Sequence, residues 1–462
     1  QGRMSRGKVL VLGDDTRSFL ATIRSLGRRG VEVHAAPPRF DLPTLRSRYL
    51  RQVHRLPPRI GDGADWLAAT EALLRREAYD LVIPCTDIAL QQFAAHRPAL
   101  EGLARLAMPD AAAFDTLFDK QATRTLAASL GVPIAAGGLP QAGEGAAAIL
   151  DRLGAPVMVK PRRSADLAAP DQRRKVRLAR DAEALAALLP ELAPEHDLLE
   201  AFFPGQGLGV SVLAHQGRLL QAFEHHRVRE DGAGSYYRVS APLTPALLAA
   251  CEAICGALGY TGLAMFEFRR NPADGAWILL EVNARPWGSM PLPLSLGVDF
   301  PWAWYRLLVD GVEEPRRAYR AGVYGRNLLQ DLRGMTAEAQ RRRARGEAWV
   351  GPWLGSLAEL RRWPLGQEAQ DTIVADDPAP GLFELGREIS LRARGLGRRL
   401  PGQATLARLL ARRRAVAALR AAAGRPVLFV CQGNICRKAC SSFSMNATCA
   451  ACARSIPISR HP

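Results

Sequence analysis

The sequence has no uninterrupted apolar run approaching the roughly 20 residues that cross a bilayer. No signal-peptide pattern precedes the first apolar segment, so we expect the protein in the cytoplasm. Five of its eight cysteines fall after residue 430, and a disulfide framework is not expected in that compartment. At 462 residues, 48% of them hydrophobic and 23% charged, the chain is long enough for about two to four soluble domains.

Lysine is scarce, with five lysines against 57 arginines. Where a lysine persists in such a chain, a compact ammonium group is indicated, and Lys120 and Lys160 are the two that matter below. The net charge of +17 does not indicate nucleic acid, because residues 387–425 alone carry eleven arginines against Glu388, with no stacking aromatics among them. This segment predicts either weak contact with an anionic membrane surface or a partner, or a solvated helical linker, which its alanine content favours.

Residues 261–289 predict a β-hairpin, in which two apolar runs flank the turn formers of residues 271–275. Because side chains alternate along a strand, one face of the second strand carries Glu281, Asn283 and Arg285. The other face is expected to carry Ile278, Leu280, Val282 and Ala284.

If this hairpin folds about Asp274, Glu267 lies opposite Glu281. Two facing carboxylates repel each other, and a divalent cation would remove that cost. With the amide oxygen of Asn283 they form an all-oxygen ligand set suited to Mg²⁺, with Mn²⁺ as an alternative. Arg285, one step along, is placed to grip a phosphate. The alternative is a hairpin whose charged face is merely solvated.

The run Glu281-Val282-Asn283-Ala284-Arg285, with Glu267 upstream, resembles the metal site of the ATP-grasp superfamily. Trp287-Gly288 is similar to its carbamoyl-phosphate-synthase-like and carboxylate–amine ligase branches. The resemblance extends over about residues 8–310 and implies an ATP- and Mg²⁺-dependent ligase. Such an enzyme activates a small-molecule or peptide carboxylate as an acyl phosphate, which an amine or similar nucleophile such as a thiol then attacks.

The same resemblance implies roles for further residues. Lys120 and Lys160 hold ATP phosphates, Glu200 accepts the adenine amino group, and the backbone of Phe202 contacts adenine. Arg227 or Arg229 faces the triphosphate, and we assign a catalytic role to Arg227 together with Arg285. Two features depart from the family pattern: residues 162–166 contain no glycine, and Gln206 replaces an acidic residue.

The predicted fold class is α/β. Strands alternating with helices predict a Rossmann-like parallel-sheet domain over residues 1–117, without the G-x-G-x-x-G of a dinucleotide site. Asp15, Thr86 and Asp87 follow its strands and either face the substrate or cap helices. A two-lobed α+β ATP-grasp domain is expected over 118–310, and a mostly helical, basic linker over 311–425.

Residues 426–462 resemble the start of a low-molecular-weight protein tyrosine phosphatase, since an apolar strand pattern runs into the C-x₅-R loop of Cys431 and Arg437. In that chemistry the loop and Arg437 bind phosphate and Cys431 attacks as a thiolate. We expect this fragment to be truncated and inactive, because no Asp or Glu follows Glu388 to act as the general acid. The alternatives to a ligase are a nucleotide-binding regulatory protein without turnover and a bifunctional ligase and phosphatase.

Overall fold

The first sheet of the computed structural model has five strands, all parallel, in the order β3-β2-β1-β4-β5. They are β1 (Lys8–Leu12), β2 (Glu32–Ala35), β3 (Leu50–Val53), β4 (Leu81–Pro84) and β5 (Arg105–Leu106). Its helices are α1 (Ser18–Arg28), α2 (Ala64–Glu77), α3 (Asp87–Ala95) and α4 (Arg97–Leu100), with a 3₁₀ turn at Pro43–Arg46. The predicted parallel sheet is confirmed.

Strand β1 is buried on both faces, which explains its continuous apolar run. Val9 and Val11 pack in one core with Phe19 of α1, while Leu10 and Leu12 pack in another with Trp66 of α2. Strand β3 was not predicted, because two of its four residues, Arg51 and Gln52, are exposed and its sequence has no apolar period.

The structure describes residues 7–163, 175–231, 234–348, 350, 355–356, 358–397, 430–431 and 434–435. The chain divides into two units, Gln1–Leu385 and Gly386–Pro462. No helix in these described ranges is long and apolar enough to cross a membrane.

The second sheet has four strands in the order β6-β9-β7-β8, paired antiparallel. They are β6 (Gly137–Gly138), β7 (Val157–Pro161), β8 (Arg177–Ala179) and β9 (Asp197–Ala201). The surrounding helices are α5 (Ala111–Phe118), α6 (Lys120–Ser129), α7 (Ala146–Leu153) and α8 (Ala182–Leu188), followed by a 3₁₀ turn at Leu189–Glu191. Asp119 caps α6 by accepting the N–H groups of Gln121 and Ala122, which fixes the position of Lys120.

The third sheet has seven strands in the order β14-β13-β10-β11-β12-β15-β16. They are β10 (Gln206–His215), β11 (Arg218–Asp231), β12 (Gly234–Ala241), β13 (Gly262–Arg270), β14 (Trp277–Asn283), β15 (Tyr324–Arg326) and β16 (Glu368–Gln370). The helices that follow in the chain are α9 (Pro245–Ala257), α10 (Pro291–Ser295), α11 (Phe300–Asp310) and α12 (Leu328–Ala344), with a 3₁₀ turn at Leu360–Arg362. One face of this sheet packs on α9, and Phe223 and Leu263 on the other share a core with β1 and α11.

Residues 311–385 differ from the predicted helical linker. Strands β15 and β16 extend the third sheet, and the first unit ends at Leu385 rather than at residue 310. Buried ion pairs hold this segment in place: Arg24 of α1 binds Asp377 at 2.9 Å, and Arg238 of β12 binds Asp371 at 2.6 Å. These carboxylates follow no apolar period, so the sequence pattern did not indicate that they are buried.

The predicted hairpin forms, and Glu267 pairs with Glu281 in its register. However, the register shifts after Glu267, because Phe268 pairs with Leu279 and leaves Leu280 as an extra residue. The prediction that Ile278 and Leu280 share a face with Val282 and Ala284 is therefore wrong. Leu279, Val282 and Ala284 enter the core, whereas Ile278 and Leu280 line a cavity.

The second unit is described in part. Helix α13 spans Ala379–Gly397, and β17 (Val430–Cys431) pairs antiparallel with β18 (Asn434–Ile435). Cys431 is described only in its backbone, and Arg437 lies outside the described residues. The phosphatase-like loop therefore stays a prediction, as does the role of residues 387–425.

Candidate functional site

A cavity of roughly 640 Å³ opens where the second and third sheets face the first turn of the chain. Its walls come from β7, β9, β11, β13 and β14 and from the turn between β1 and α1. All nine residues to which the sequence assigned an ATP-binding, metal-binding or catalytic role line it: Lys120, Lys160, Glu200, Phe202, Arg227, Glu267, Glu281, Asn283 and Arg285. Its volume lies in the range of about 300–1,000 Å³ that small-molecule sites occupy.

The candidate metal ligands lie together on β13 and β14. Asn283 Nδ2 is 3.2 Å from Glu267 Oε1 and 3.4 Å from Glu281 Oε1, so one amide bridges the two carboxylates. Burial raises the pKa of Glu267; Arg227 opposes that shift, and the facing Glu281 reinforces it. Burial would also raise the pKa of Glu281, but Lys120 and Lys160 hold it below its ordinary value.

This donor set fits a hard divalent cation. It consists of two carboxylates and one amide, and turning the Asn283 side chain would exchange its NH₂ for its oxygen. Burial is the main reason that the pKa of Glu267 is raised, and the facing Glu281 adds a charge repulsion that a bound cation would relieve.

Each carboxylate that lines the cavity forms an ion pair with a lysine or arginine side chain. Lys120 Nζ lies 3.4 Å from Glu281 Oε2, and Arg227 Nη2 lies 2.6 Å from Glu267 Oε2. Arg285 binds both oxygens of Asp87 as a fork, at 2.5 and 2.8 Å. Burial disfavours its charged form, but Asp87 raises the pKa of Arg285 above its ordinary value.

Lys160 pairs with Glu200 across β7 and β9. Arg124 Nη1 binds the same carboxylate at 2.6 Å, and the Glu200 side chain is buried. The Glu200 carboxylate is thus held by two cations, and its contact with an adenine amino group stays a prediction. The N–H of Phe202 donates to the Pro156 carbonyl at 3.2 Å, so a ligand contact from its backbone would come from the carbonyl.

The structure separates the two arginines between which the sequence left a choice. Arg227 lines the cavity, whereas Arg229 does not and instead binds Asp331 of α12 and Glu359. Next to Arg227, His225 is buried in the cavity wall. Burial lowers the pKa of His225 well below its ordinary value, and Arg238 and Arg227 add to that shift, so its imidazole is neutral.

The polar residues that follow the strands of the first sheet have different roles. Thr86 caps α3 by accepting the Ala89 N–H, and Asp15 accepts the N–H groups of Arg17 and Phe19. Of the three residues predicted at strand ends, Asp87 alone lines the cavity.

Sequence reasoning missed Arg17, His225, Ile278 and Leu280 as cavity residues. Ile278 and Leu280 were missed because strict alternation along the strand places them in the core, whereas the bulge turns them towards the cavity. Arg17 follows the first strand, at the end of a parallel sheet where ligands commonly bind. This position in the sequence could have identified it as a cavity residue.

Residues 194–327 match a family model described as ATP-grasp in the biosynthetic pathway with Ter operon. A comparison with curated proteins found no match. Among solved structures, the biotin carboxylase domain of 2-oxoglutarate carboxylase from Hydrogenobacter thermophilus, solved with MgADP and bicarbonate, is 18% identical with a TM-score of 0.54. That similarity covers 70% of this chain and 74% of that one.

Two further structures are similar over a comparable share of this chain. N5-carboxyaminoimidazole synthetase from Staphylococcus aureus, complexed with ADP, is 14% identical with a TM-score of 0.53, covering 68% of this chain and 80% of that one. L-amino acid ligase from Bacillus licheniformis is 18% identical with a TM-score of 0.50, covering 68% and 78%. At these identities the likeness shows a shared fold. With the family match over residues 194–327, it confirms the predicted ATP-grasp resemblance.

Proposed function

We propose that this chain is an ATP- and Mg²⁺-dependent ligase that joins a carboxylate to an amine or a similar nucleophile. The observation that carries the proposal is the facing pair Glu267 and Glu281, bridged by Asn283 and flanked by Lys120 within one cavity. The ligands named by the similar structures, ADP with magnesium or ADP alone, support the same nucleotide chemistry here.

The cavity residues have different roles in the proposed reaction. Lys120 and Lys160 are paired with carboxylates in the structure, and on nucleotide binding they exchange these partners for phosphate oxygens. Glu281 loses Lys120 in that exchange, and Glu267, Glu281 and Asn283 would then hold Mg²⁺. The cation, when bound, offsets negative charge on the transferred phosphoryl group. Arg227 and Arg285 add fixed positive charge, which their own carboxylate partners keep in position.

The reaction needs no covalent enzyme intermediate. A carboxylate oxygen of the substrate attacks the γ-phosphorus of ATP, the bond to the β-phosphate oxygen breaks, and ADP leaves. The amine nitrogen then attacks the acyl carbon of the acyl phosphate and releases phosphate, with one proton lost from nitrogen. The buried, charged walls hold the two substrates in line and exclude water from the acyl phosphate.

Glu281→Gln tests the proposal, because it removes one carboxylate of the set while keeping the side chain's size. We expect ATP·Mg²⁺ affinity to fall at least about tenfold by calorimetry, and ADP release with carboxylate and amine mixtures to disappear. Glu267→Gln should behave in the same way, and Glu252→Gln, on α9 outside the cavity, is the matched control. Unchanged nucleotide affinity and turnover in both variants would refute the assignment.

A nucleotide-binding regulatory protein is the main alternative. Its support is the departure at Gln206, whose amide donates to the Arg227 carbonyl at 2.8 Å, and the absence of glycine in residues 162–166. ADP release separates the two functions, because a regulatory protein binds ATP·Mg²⁺ without turnover. Absence of phosphatase activity remains a separate prediction, and Cys431-dependent hydrolysis of para-nitrophenyl phosphate would contradict it.

A further inference from the structure

Arg17 enters the cavity from the turn between β1 and α1. Its guanidinium lies against Gly288, where an added Cβ would stand 2.8 Å from Cζ and 2.9 Å from Nη1. Such distances are too short for any real Cβ. The missing side chain at position 288 therefore makes the room that the Arg17 guanidinium occupies.

Arg17 differs from the other cavity cations in its partners. The four carboxylates that line the cavity are each paired with another cation: Glu281 with Lys120, Glu200 with Lys160, Glu267 with Arg227, and Asp87 with Arg285. Among the described residues, the Arg17 side chain has neither a hydrogen bond nor an ion pair. It is also half-buried. A half-buried guanidinium attracts an anion bound beside it more strongly than a fully exposed one does, because less water screens the two charges.

A second donor accompanies it. Trp287, the residue before Gly288, lines the same cavity and is 1% exposed. Its indole N–H is buried without a hydrogen-bond partner in the part of the chain that the structure describes. A buried donor left unpaired is costly, and an oxygen acceptor from a ligand would satisfy it.

We infer that Arg17 anchors a carboxylate of the substrate that is not the nucleotide. The inference rests on the proposed ligase function and names the residue that positions its carboxylate substrate. Contacts within the cavity run from Glu281 through Asn283 to Arg285, and Gly288 follows three residues later. Arg17 comes from the β1–α1 turn of the first sheet and lies against Gly288, whereas Lys160 and Glu200 lie on β7 and β9 of the second sheet. A guanidinium presents two parallel N–H donors, which match the two oxygens of a carboxylate.

Two variants of the full-length chain test the anchor. Arg17→Gln removes the charge, and Gly288→Ala leaves the charge but displaces the guanidinium, because the new Cβ meets only the flexible end of Arg17. The backbone at Gly288 does not have a left-handed φ, so alanine is tolerated there. Arg39→Gln, at an exposed position of the same domain, is the matched control.

The measurement is calorimetric binding of sodium acetate, L-alanine, L-glutamate and succinate to protein saturated with ADP·Mg²⁺. Acetamide and L-alaninamide serve as uncharged counterparts, and sodium phosphate tests for a phosphate site. We expect at least one carboxylate to bind the wild type while its amide does not. Its affinity should fall about 10- to 100-fold in R17Q and G288A and stay unchanged in R39Q. ADP·Mg²⁺ affinity should stay within about twofold throughout.

Four results would overturn the inference: no carboxylate binding to the wild type, equal carboxylate binding in R17Q, tighter binding of phosphate than of any carboxylate, or a parallel loss of ADP·Mg²⁺ affinity in R17Q. The last would assign Arg17 to the nucleotide phosphates. Failure of the proposed function is distinguishable from these, because it appears as unchanged nucleotide affinity in E281Q and E267Q.

Discussion

At the scale of single residues, most of the charged side chains of the cavity are paired with one another. Lys120, Lys160 and Arg227 are held by carboxylates, so their side chains are already ordered, and under the proposed function phosphate would replace those partners for the two lysines. Preorganisation of this kind lowers the entropy lost on binding. The scarcity of lysine made Lys120 and Lys160 recognisable in the sequence, but their carboxylate partners could not be assigned from spacing alone.

Lys160 offers a clean test at this scale. In Lys160→Met, Glu200 keeps Arg124 at 2.6 Å, so we expect the fold to persist. ATP·Mg²⁺ affinity measured by calorimetry should fall about 10- to 100-fold, because one phosphate-binding cation is lost. Lys175→Met, at an exposed position of the same lobe, is the control and should bind like the wild type. If K160M and K175M bind ATP equally well, Lys160 does not contact the nucleotide.

A buried histidine pair predicts a dependence of stability on pH. His34 Nδ1 lies 3.0 Å from His54 Nε2 and 2.9 Å from Tyr79 Oη. Burial lowers the pKa of His34, although the neighbouring Glu32 opposes that shift. Burial also lowers the pKa of His54, and the charge of a protonated His34 would lower it further. The other charged groups around the pair are Glu77, Lys8 and Arg76.

Since both histidines are harder to protonate when folded, the unfolded chain binds more protons below its ordinary histidine pKa of about 6.5. The free energy of unfolding should therefore fall as pH decreases from about 7 to 5. The contribution that the two neutral histidines make to it is complete only above about pH 6.5. Urea unfolding across that range measures it. His54→Gln should show a smaller pH slope than the wild type, while buried His225 continues to contribute in both. Identical slopes would contradict this interpretation.

At the scale of elements, the hairpin shows where sequence reasoning succeeds and where it stops. The turn formers and apolar runs predicted the pairing of Glu267 with Glu281, and this register is observed. The bulge one residue away was not predictable, because Leu279 and Leu280 are chemically identical and only the surrounding packing decides which one enters the core. Leu279 packs in the core, and its N–H donates to the Pro133 carbonyl at 2.8 Å.

The same substitution should therefore have different effects at the two neighbouring leucines, mainly on stability at Leu279 and mainly on nucleotide binding at Leu280. Leu279→Ala creates a core cavity and should lower the free energy of unfolding by about 2–5 kcal/mol in urea. Leu280→Ala should lower it by less, but weaken ATP·Mg²⁺ binding, because Leu280 lines the candidate nucleotide cavity. Each variant is the control for the other. The reverse pattern would show that strict alternation, and not the bulge, describes β14.

At the scale of the whole molecule, residues 311–385 complete the first unit. The sequence of this stretch shows no familiar motif, and a mostly helical, basic region is expected there. The deciding contacts are long-range pairs of opposite charge, such as Arg326 with Glu368 at 2.7 Å, and both side chains of that pair are buried. Local periodicity does not encode such pairs, which explains why the sequence indicated the parallel sheet but not the place of residues 311–385 in the fold.

Two truncations test the role of these pairs. A chain ending at residue 310 keeps Arg24 and Arg238, which are 3% and 0% exposed, but loses Asp377 and Asp371. Leaving one partner of a buried ion pair without the other costs about 3–5 kcal/mol. Two such losses approach the whole stability of a typical domain, about 5–15 kcal/mol. The third sheet would also lose β15 and β16. We therefore expect the chain of residues 1–310 not to fold.

A chain ending at residue 385 keeps every one of these contacts and all the cavity residues. We expect it to unfold cooperatively in urea and to bind ATP·Mg²⁺ with the affinity of the full chain, because none of the residues that the structure describes after Ser289 lines the cavity. Circular dichroism and calorimetry on the two truncations make the comparison. A folded, nucleotide-binding 1–310 chain would show that residues 311–385 are accessory. A folded 1–385 chain that fails to bind ATP·Mg²⁺ would instead assign part of the nucleotide site to the residues after 385.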